Sequence, residues 1–247
     1  MSLGKADLLK ILLRSFFIQS SWNYKGMMNL GFAFSLIPLF RPLKFNREER
    51  ADFLRRHLGF FNANPFLSTL ILGSVARLEE EHAFKGEPGP DRIGKVKSSL
   101  CGPVGSLGDQ LFWGALRPAA AALGVICSLV WWGWGALALL VSFNLPHLYI
   151  RCRGLFRGYN LGFGVVREIS SQFYPRLAGA LGRSILFMAG FIISYRFFES
   201  TAIGLTAIVA LFTSIVLGLF LIGREFPLHV AMSLFIAAGI VIELLRG

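Results

Sequence analysis

A stretch of the chain at 118–150 carries no Asp, Glu, Lys or Arg. A helix that crosses the hydrocarbon core of a bilayer needs about 20 mostly apolar residues, so this stretch is too long for a single span. It predicts a helical hairpin that begins near Gly105 and turns at 131–135. Arg151 and the arginines after it would close this hairpin on the cytoplasmic side.

Three further apolar stretches follow at 184–195, 200–223 and 226–242, and the first of them is short. With the hairpin they predict an all-α integral membrane protein of about five transmembrane helices, its bundle formed by residues 102–247. Charged residues make up 16% of the chain, whereas soluble domains carry about a quarter. This composition excludes a disordered or fibrous chain and argues against an ordinary cytosolic enzyme.

The chain is basic, with 25 Lys and Arg against 14 Asp and Glu and a formal net charge of +11. The basic residues lie in short segments between apolar runs instead of along one soluble face. Anionic lipid and the positive-inside rule explain this distribution, and nucleic-acid binding does not. We therefore predict a multi-pass membrane protein in contact with the bilayer.

The N-terminal segment, residues 1–20, is predicted to be an amphipathic helix. Leucine and phenylalanine alternate there with Lys5, Lys10 and Arg14 at helical spacing. Such a helix lies in the membrane interface with its basic side toward the lipid headgroups, which places the N-terminus in the cytoplasm. The alternative is a helix that packs on a partner protein.

Residues 21–76 are apolar in two short stretches, which Pro38 and Pro65 interrupt around the basic segment 41–56. A single crossing before that segment would place its arginines outside, against the positive-inside rule. We therefore predict a unit of re-entrant or broken helices at 21–76. Residues 77–101 are polar and are predicted to form a cytoplasmic loop.

Polar side chains at membrane depth mark the candidate site. Asp109 and Arg117 enter a hydrophobic span, where a charge costs roughly 2.5–3.5 kcal/mol and normally faces a cavity or a partner. In a helix, Asp109, Trp113 and Arg117 lie on one stripe. A carboxylate beside an aromatic face suits a neutral sugar, and Asn62 and Asn64 add donors and acceptors near a helix break. The alternative is a purely structural Asp109–Arg117 pair.

Other site classes find little support in the sequence. Cys101, Cys127 and Cys152 have no ligand spacing, so we expect no metal and no cofactor. The four histidines have no nucleophile or acid partner nearby, so we expect no catalytic residue. The acidic run 79–81 is expected to be a solvated surface, as most charge blocks are.

Several short motifs follow one another in order within residues 14–165: Arg14-Ser15-Phe16, Gln19-Ser20-Ser21-Trp22-Asn23-Tyr24, Asn29-Leu30-Gly31-Phe32, His57-Leu58, Phe60-Phe61-Asn62-Ala63-Asn64-Pro65-Phe66, Leu78-Glu79-Glu80, Gly102-Pro103 through Gly108-Asp109, Phe112-Trp113-Gly114 and Arg117-Pro118. This series resembles the IID component of mannose-family (mannose/fructose/sorbose) phosphotransferase systems.

The resemblance implies a membrane subunit that carries no phosphoryl group and pairs with a IIC subunit of similar, inverted fold. The pair would move a hexose across the membrane, and a cytoplasmic IIB phosphocarrier, charged by IIA, would phosphorylate it. Any sugar contact would fall to Asn62, Asn64, Asp109 and Trp113, with Arg117 orienting or neutralising Asp109.

The family pattern fades after Ser170, and Asn62-Ala63-Asn64 resembles the family's usual Asn-Thr-His/Gln without copying it. The chain also looks shorter than typical members. These departures leave open a second function, a non-transporting IID-like subunit that anchors or regulates an incomplete phosphotransferase relay. A third reading, an unrelated transporter or channel, would make the motif series a coincidence.

Overall fold

A computed structural model describes residues 3–200, and this part of the chain is helical, without an extended strand. Its α-helices are α1 (Lys5–Ser15), α2 (Asn29–Leu36), α3 (Arg47–His57), α4 (Ser68–Lys85), α5 (Pro90–Gly108), α6 (Arg117–Val130), α7 (Gly135–Leu161), α8 (Val165–Ile169) and α9 (Phe173–Ser200). Short 3₁₀ turns lie at Ile37–Phe40 and Gly162–Gly164, and Asp109–Leu116 is π-helical.

The predicted hairpin is present. Helix α5, the π-helical segment and α6 join into one continuous helical stretch, Pro90–Val130, which is long and apolar enough to cross a membrane. The chain turns at 131–134 and returns as α7, which packs against α6. A second candidate span is Phe173–Ile193. The all-α membrane architecture is thus confirmed, whereas the count of about five spans stays a prediction, because 200–223 and 226–242 lie beyond the described residues.

The chain divides into two units, Met1–Ile185 and Leu186–Gly247. Every contact described below lies within the first unit. Its core is formed by α1, α4, α5 and α7, whose buried residues include Ile11, Leu72, Val104 and Leu155.

The prediction of a polar loop at 77–101 is wrong. Helix α4 continues to Lys85, α5 begins at Pro90, and only the turn at 86–89 separates them. Some of the polar side chains in this segment, namely Glu79, Glu80 and Lys97, are buried inside the helical protein instead of solvated. The helical signal was present in α5, where Ile93, Lys97, Leu100 and Val104 recur at helical spacing and are all buried.

Residues 21–76 contain the short helices α2 and α3 and the first part of α4, which continues past residue 76 to Lys85. That they form a re-entrant or broken-helix unit at membrane depth stays a prediction. Pro38 lies in the 3₁₀ turn that ends α2. Helix α3 begins at a capping box, in which the Asn46 side chain accepts from the Glu49 backbone N–H and the Glu49 carboxylate accepts from the Asn46 N–H. An irregular segment at 58–67, which includes Pro65, then leads into α4.

The predicted N-terminal helix is also present, as α1. Its inner face is buried against the core through Leu8, Ile11 and Leu12. Its outer face leaves large apolar side chains exposed, among them Leu9 and Leu13. The position of this helix at the membrane interface stays a prediction.

Helices α4 and α7 form the closest packing in this unit because small residues let their backbones touch. A Cβ built on Gly73 would collide with the Leu155 carbonyl oxygen, and one built on Gly158 would collide with the Leu70 carbonyl oxygen. Helix pairs in membranes associate through such small residues, since lipid offers no hydrophobic driving force between them.

We predict that Gly73→Ala lowers the stability of the protein by about 1–3 kcal/mol, because the added methyl group meets backbone that cannot move aside. The midpoint of thermal unfolding in mild detergent would measure the loss. Gly94→Ala is the matched control, since a Cβ there meets nothing within 4 Å. Equal midpoints for the two variants would contradict this account of the α4–α7 packing.

Candidate functional site

A cavity of about 360 Å³ lies where three parts of the chain meet. The irregular segment before α2 contributes Gln19 and Trp22, the 58–67 segment contributes Asn62, and the helical stretch after Gly105 contributes Asp109 and Trp113. Its volume falls within the range of small-molecule sites. Three of the five residues predicted from the sequence, Asn62, Asp109 and Trp113, therefore line one cavity.

Backbone hydrogen bonds hold the walls of this cavity together. The Phe61 N–H donates to the Gly26 carbonyl over 3.2 Å, and the Met28 N–H donates to the Phe61 carbonyl over 2.9 Å. These two bonds join the segment that carries Asn62 to the segment that carries Trp22. Residues far apart in sequence are thus fixed relative to one another.

Asn64 is buried and does not line the cavity, so we assign it a positioning role. Its amide nitrogen donates to an Asp109 carboxylate oxygen over 2.9 Å. Its carbonyl oxygen accepts from the backbone N–H groups of Phe66 and Leu67, which forms a local turn that leads into α4. Gly108 permits this approach, because a Cβ there would overlap the Asn64 side chain.

The predicted pairing of Arg117 with Asp109 is wrong. Among the described residues, no ion pair involves Asp109, whose described hydrogen bond comes from Asn64. The Arg117 guanidinium lies over the Trp113 ring, 5.5 Å from its centroid. The guanidinium thus supports the indole by a cation–π contact, and the Asp109 carboxylate stays available to the cavity.

The helix changes its winding at the site, since Asp109–Leu116 is π-helical. Such segments are rare and occur frequently at functional sites. Trp113 is 41% exposed and Trp22 is 46% exposed. Two partly exposed indole side chains therefore line the cavity together with one carboxylate.

Two buried cations hold the segment at 57–65. The Lys97 ammonium donates to the carbonyl oxygens of His57 and Gly59, each over 2.9 Å. The Arg151 guanidinium donates to the carbonyl oxygens of Ser15 and Pro65, over 2.8 and 3.1 Å. Lys97 and Arg151 are each 3% exposed, so neither contact competes with bulk water. Arg151, which the sequence placed at a cytoplasmic hairpin end, thus points into the protein.

The expectation of a solvated acidic run at 79–81 is wrong for its first two members, which are buried. Glu79 accepts two hydrogen bonds from the Arg56 guanidinium, over 3.0 and 2.9 Å, and lies 2.8 Å from His57 Nε2. Glu80 accepts from the Tyr159 hydroxyl and from the Leu3 backbone N–H. These carboxylates fasten α3, α7 and the N-terminal segment to α4.

The buried Glu79 group has a defined charge state. Burial alone would raise the pKa of Glu79, but the hydrogen bonds from His57 and Arg56 outweigh it and lower that pKa. Burial lowers the pKa of His57 despite the neighbouring carboxylate. Near pH 7, Glu79 is therefore ionised and His57 is neutral, so His57 Nε2 donates its proton to Glu79.

The family model for the PTS system mannose/fructose/sorbose family IID component matches residues 2–217. The chain belongs to this family. The mannose-specific EIID component of Escherichia coli K12 is 37% identical over 193 residues, which cover 78% of this chain and 68% of that protein. The sorbose-specific EIID component of Lacticaseibacillus casei is 32% identical over 77% of this chain and 67% of that protein.

Solved structures agree with this assignment. A chain from the cryo-EM structure of the mannose transporter ManYZ with microcin E492 matches with a TM-score of 0.63 and 29% identity, over 97% of this chain and 96% of that one. A second structure, described as a membrane protein, matches with a TM-score of 0.70 and 29% identity, over 98% and 97%. The protein is thus a membrane subunit of a mannose-family sugar phosphotransferase system.

Sequence reasoning missed several parts of this IID site. Gln19 and Ser106 line the cavity and lie within motifs that were recognised, but neither residue type stands out in its own segment. The sequence pattern assigns Lys97 to a polar loop and Arg151 to the cytoplasmic end of the hairpin. The signal that could have revealed their burial is a charged residue on a helix face that is otherwise apolar, such as Lys97 between Ile93 and Leu100.

We predict that Lys97→Met loosens the segment that carries Asn62. Two buried carbonyl groups would lose their charged donor, which lowers the free energy of local opening by about 1–3 kcal/mol. Hydrogen exchange of the backbone amides at 58–64, followed by mass spectrometry, would register faster exchange. Lys95→Met removes an exposed lysine from the same helix and serves as the control. Identical exchange in both variants would show that Lys97 does not hold this segment.

Proposed function

We propose that this IID subunit takes part in translocating a hexose across the bacterial inner membrane together with a IIC subunit. A IIB phosphocarrier, charged by IIA, would phosphorylate the sugar on the cytoplasmic side. The observation that carries this proposal is the cavity in which Asn62, Asp109 and Trp113 converge.

The chemistry of the cavity suits a neutral polyol. An ionised carboxylate can accept hydrogen bonds from two hydroxyl groups, and the Asn62 amide can both donate and accept. The Trp113 ring offers an apolar plane for the C–H face of a sugar ring. No cation among the described residues pairs with Asp109, so the carboxylate has capacity left for a ligand.

The partners follow from family membership and not from the cavity. The ManYZ structure is that of a mannose transporter, and one of its chains matches nearly the full length of this one. We therefore propose a hetero-oligomer with a IIC subunit, a IIB and a IIA. In this assembly the IID chain would bind and move sugar without itself carrying a phosphoryl group.

We predict that Asp109→Asn weakens sugar uptake by about 10- to 100-fold, because hydrogen bonds to a charged group contribute about 1.5–3 kcal/mol. Uptake would be measured in cells that supply the whole set of partner subunits. Asp91→Asn, at an exposed position on the same helical stretch, is the control. Co-purification of the IIC subunit with both variants would show that the complex still assembles.

Two outcomes would count against the proposal. Normal uptake by Asp109→Asn would remove Asp109 from the sugar path. The absence of uptake by the unaltered chain with all its partners would favour a subunit that anchors or regulates the relay without transporting.

A further inference from the structure

A second cavity, of about 330 Å³, lies between α1, the 3₁₀ turn after α2 and the start of α3. Four cationic side chains line it: Lys10, Arg14, Arg41 and Arg50. Asp7 is the carboxylate in the same lining. The cavity therefore has a net charge of +3, and the sugar site described above uses none of these groups.

The carboxylate in the lining is already engaged. Asp7 lies 3.3 Å from the Lys10 ammonium, one turn away on α1. Arg14 donates to the Phe34 carbonyl, and Arg50 donates through Nε to the Phe45 carbonyl. Each of these arginines has five N–H donors and commits one of them there, so several charged donors still face the cavity.

Arg41 adds a cation that makes no described hydrogen bond or ion pair within residues 3–200, and it is exposed. Cations gathered around one cavity repel one another, and a bound anion relieves that repulsion. Guanidinium groups bind phosphate through paired N–H···O contacts, and one phosphate has enough oxygens to be shared among several cations. The charge of this cavity thus points to a phosphate group as the ligand.

The remaining lining and the helix beside it point to a phosphate that carries an acyl chain. Ile37, Pro38 and Phe40 supply an apolar wall next to the cations. On α1, Leu9 and Leu13 are 49% and 57% exposed and lie directly beside Lys10 and Arg14 in sequence. Successive helical positions are about 100° apart, so an exposed apolar stripe runs along the basic one.

This combination is that of an interfacial helix with one side in the acyl region and the other at the headgroups. We propose that the second cavity binds the phosphodiester headgroup of an anionic phospholipid, with the exposed face of α1 contacting the acyl chains. Basic pockets between helices at a membrane surface bind headgroups of this kind. The site anchors α1, and α1 is joined through Ser15 to Arg151 and the sugar cavity.

The test is native mass spectrometry of the full chain, purified with its co-purifying subunits, delipidated and titrated with phosphatidylglycerol. Phosphatidylcholine provides a headgroup without net charge, and inorganic phosphate provides the anion without acyl chains. The test variant is the double substitution Lys10→Gln/Arg41→Gln, which removes two cations at exposed positions. The matched control is Arg55→Gln/Lys85→Gln, which removes two exposed cations outside the cavity.

We expect phosphatidylglycerol to bind in preference to phosphatidylcholine. Its affinity should fall at least about tenfold in the test variant and stay unchanged in the control. Inorganic phosphate that competes as well as the lipid would instead show a free-anion site. Equal binding of both lipids, or unchanged phosphatidylglycerol binding by the test variant, would overturn the proposal. So would a test variant that loses only a co-purifying phosphocarrier, because the cavity would then be a protein-docking site.

Discussion

The hydrogen bonds from two buried cations to the backbone at 57–65 are the contacts on which the site depends. Lys97 in α5 holds the His57 and Gly59 carbonyls, and Arg151 in α7 holds the Pro65 carbonyl. The segment between these contacts is irregular and carries Asn62 and Asn64. Because irregular backbone inside a protein must satisfy its polar groups there, the cations stabilise this segment.

Buried charges require compensation, and the chain supplies it at each position. Glu79 is paired with Arg56 and His57, and Glu80 accepts from Tyr159 and from the N-terminal backbone. Asp109 differs from these groups, because it is exposed and its described side-chain partner is the neutral amide of Asn64. The protein thus satisfies the charges that support the site and leaves one carboxylate open to the cavity, which is the arrangement expected of a ligand-binding group.

The sequence predicted those features that depend on local composition. The hairpin could be predicted because spanning helices need long uncharged runs. Asp109 and, beside it, Trp113 could be predicted as site residues because a charge in such a run normally faces a cavity or a partner. The hydrogen-bond partner of Asp109 could not be predicted, because Asn64 lies 45 residues earlier in the chain. The prediction of a loop at 77–101 fails for a related reason. The polarity of this segment favours a solvent-exposed loop, but the burial of Lys97 depends on tertiary packing, which the local sequence does not reveal. Only the helical spacing of Ile93, Leu100 and Val104 could have corrected it.

We propose that the sugar binds between Asp109 and Trp113 of the IID chain. A cryo-EM structure of the assembled permease with its hexose tests this most directly. The account predicts sugar hydroxyls within about 3 Å of the Asp109 carboxylate, with the ring against the Trp113 indole. A hexose held entirely by another subunit, with the cavity at Asn62 and Asp109 empty, would contradict it.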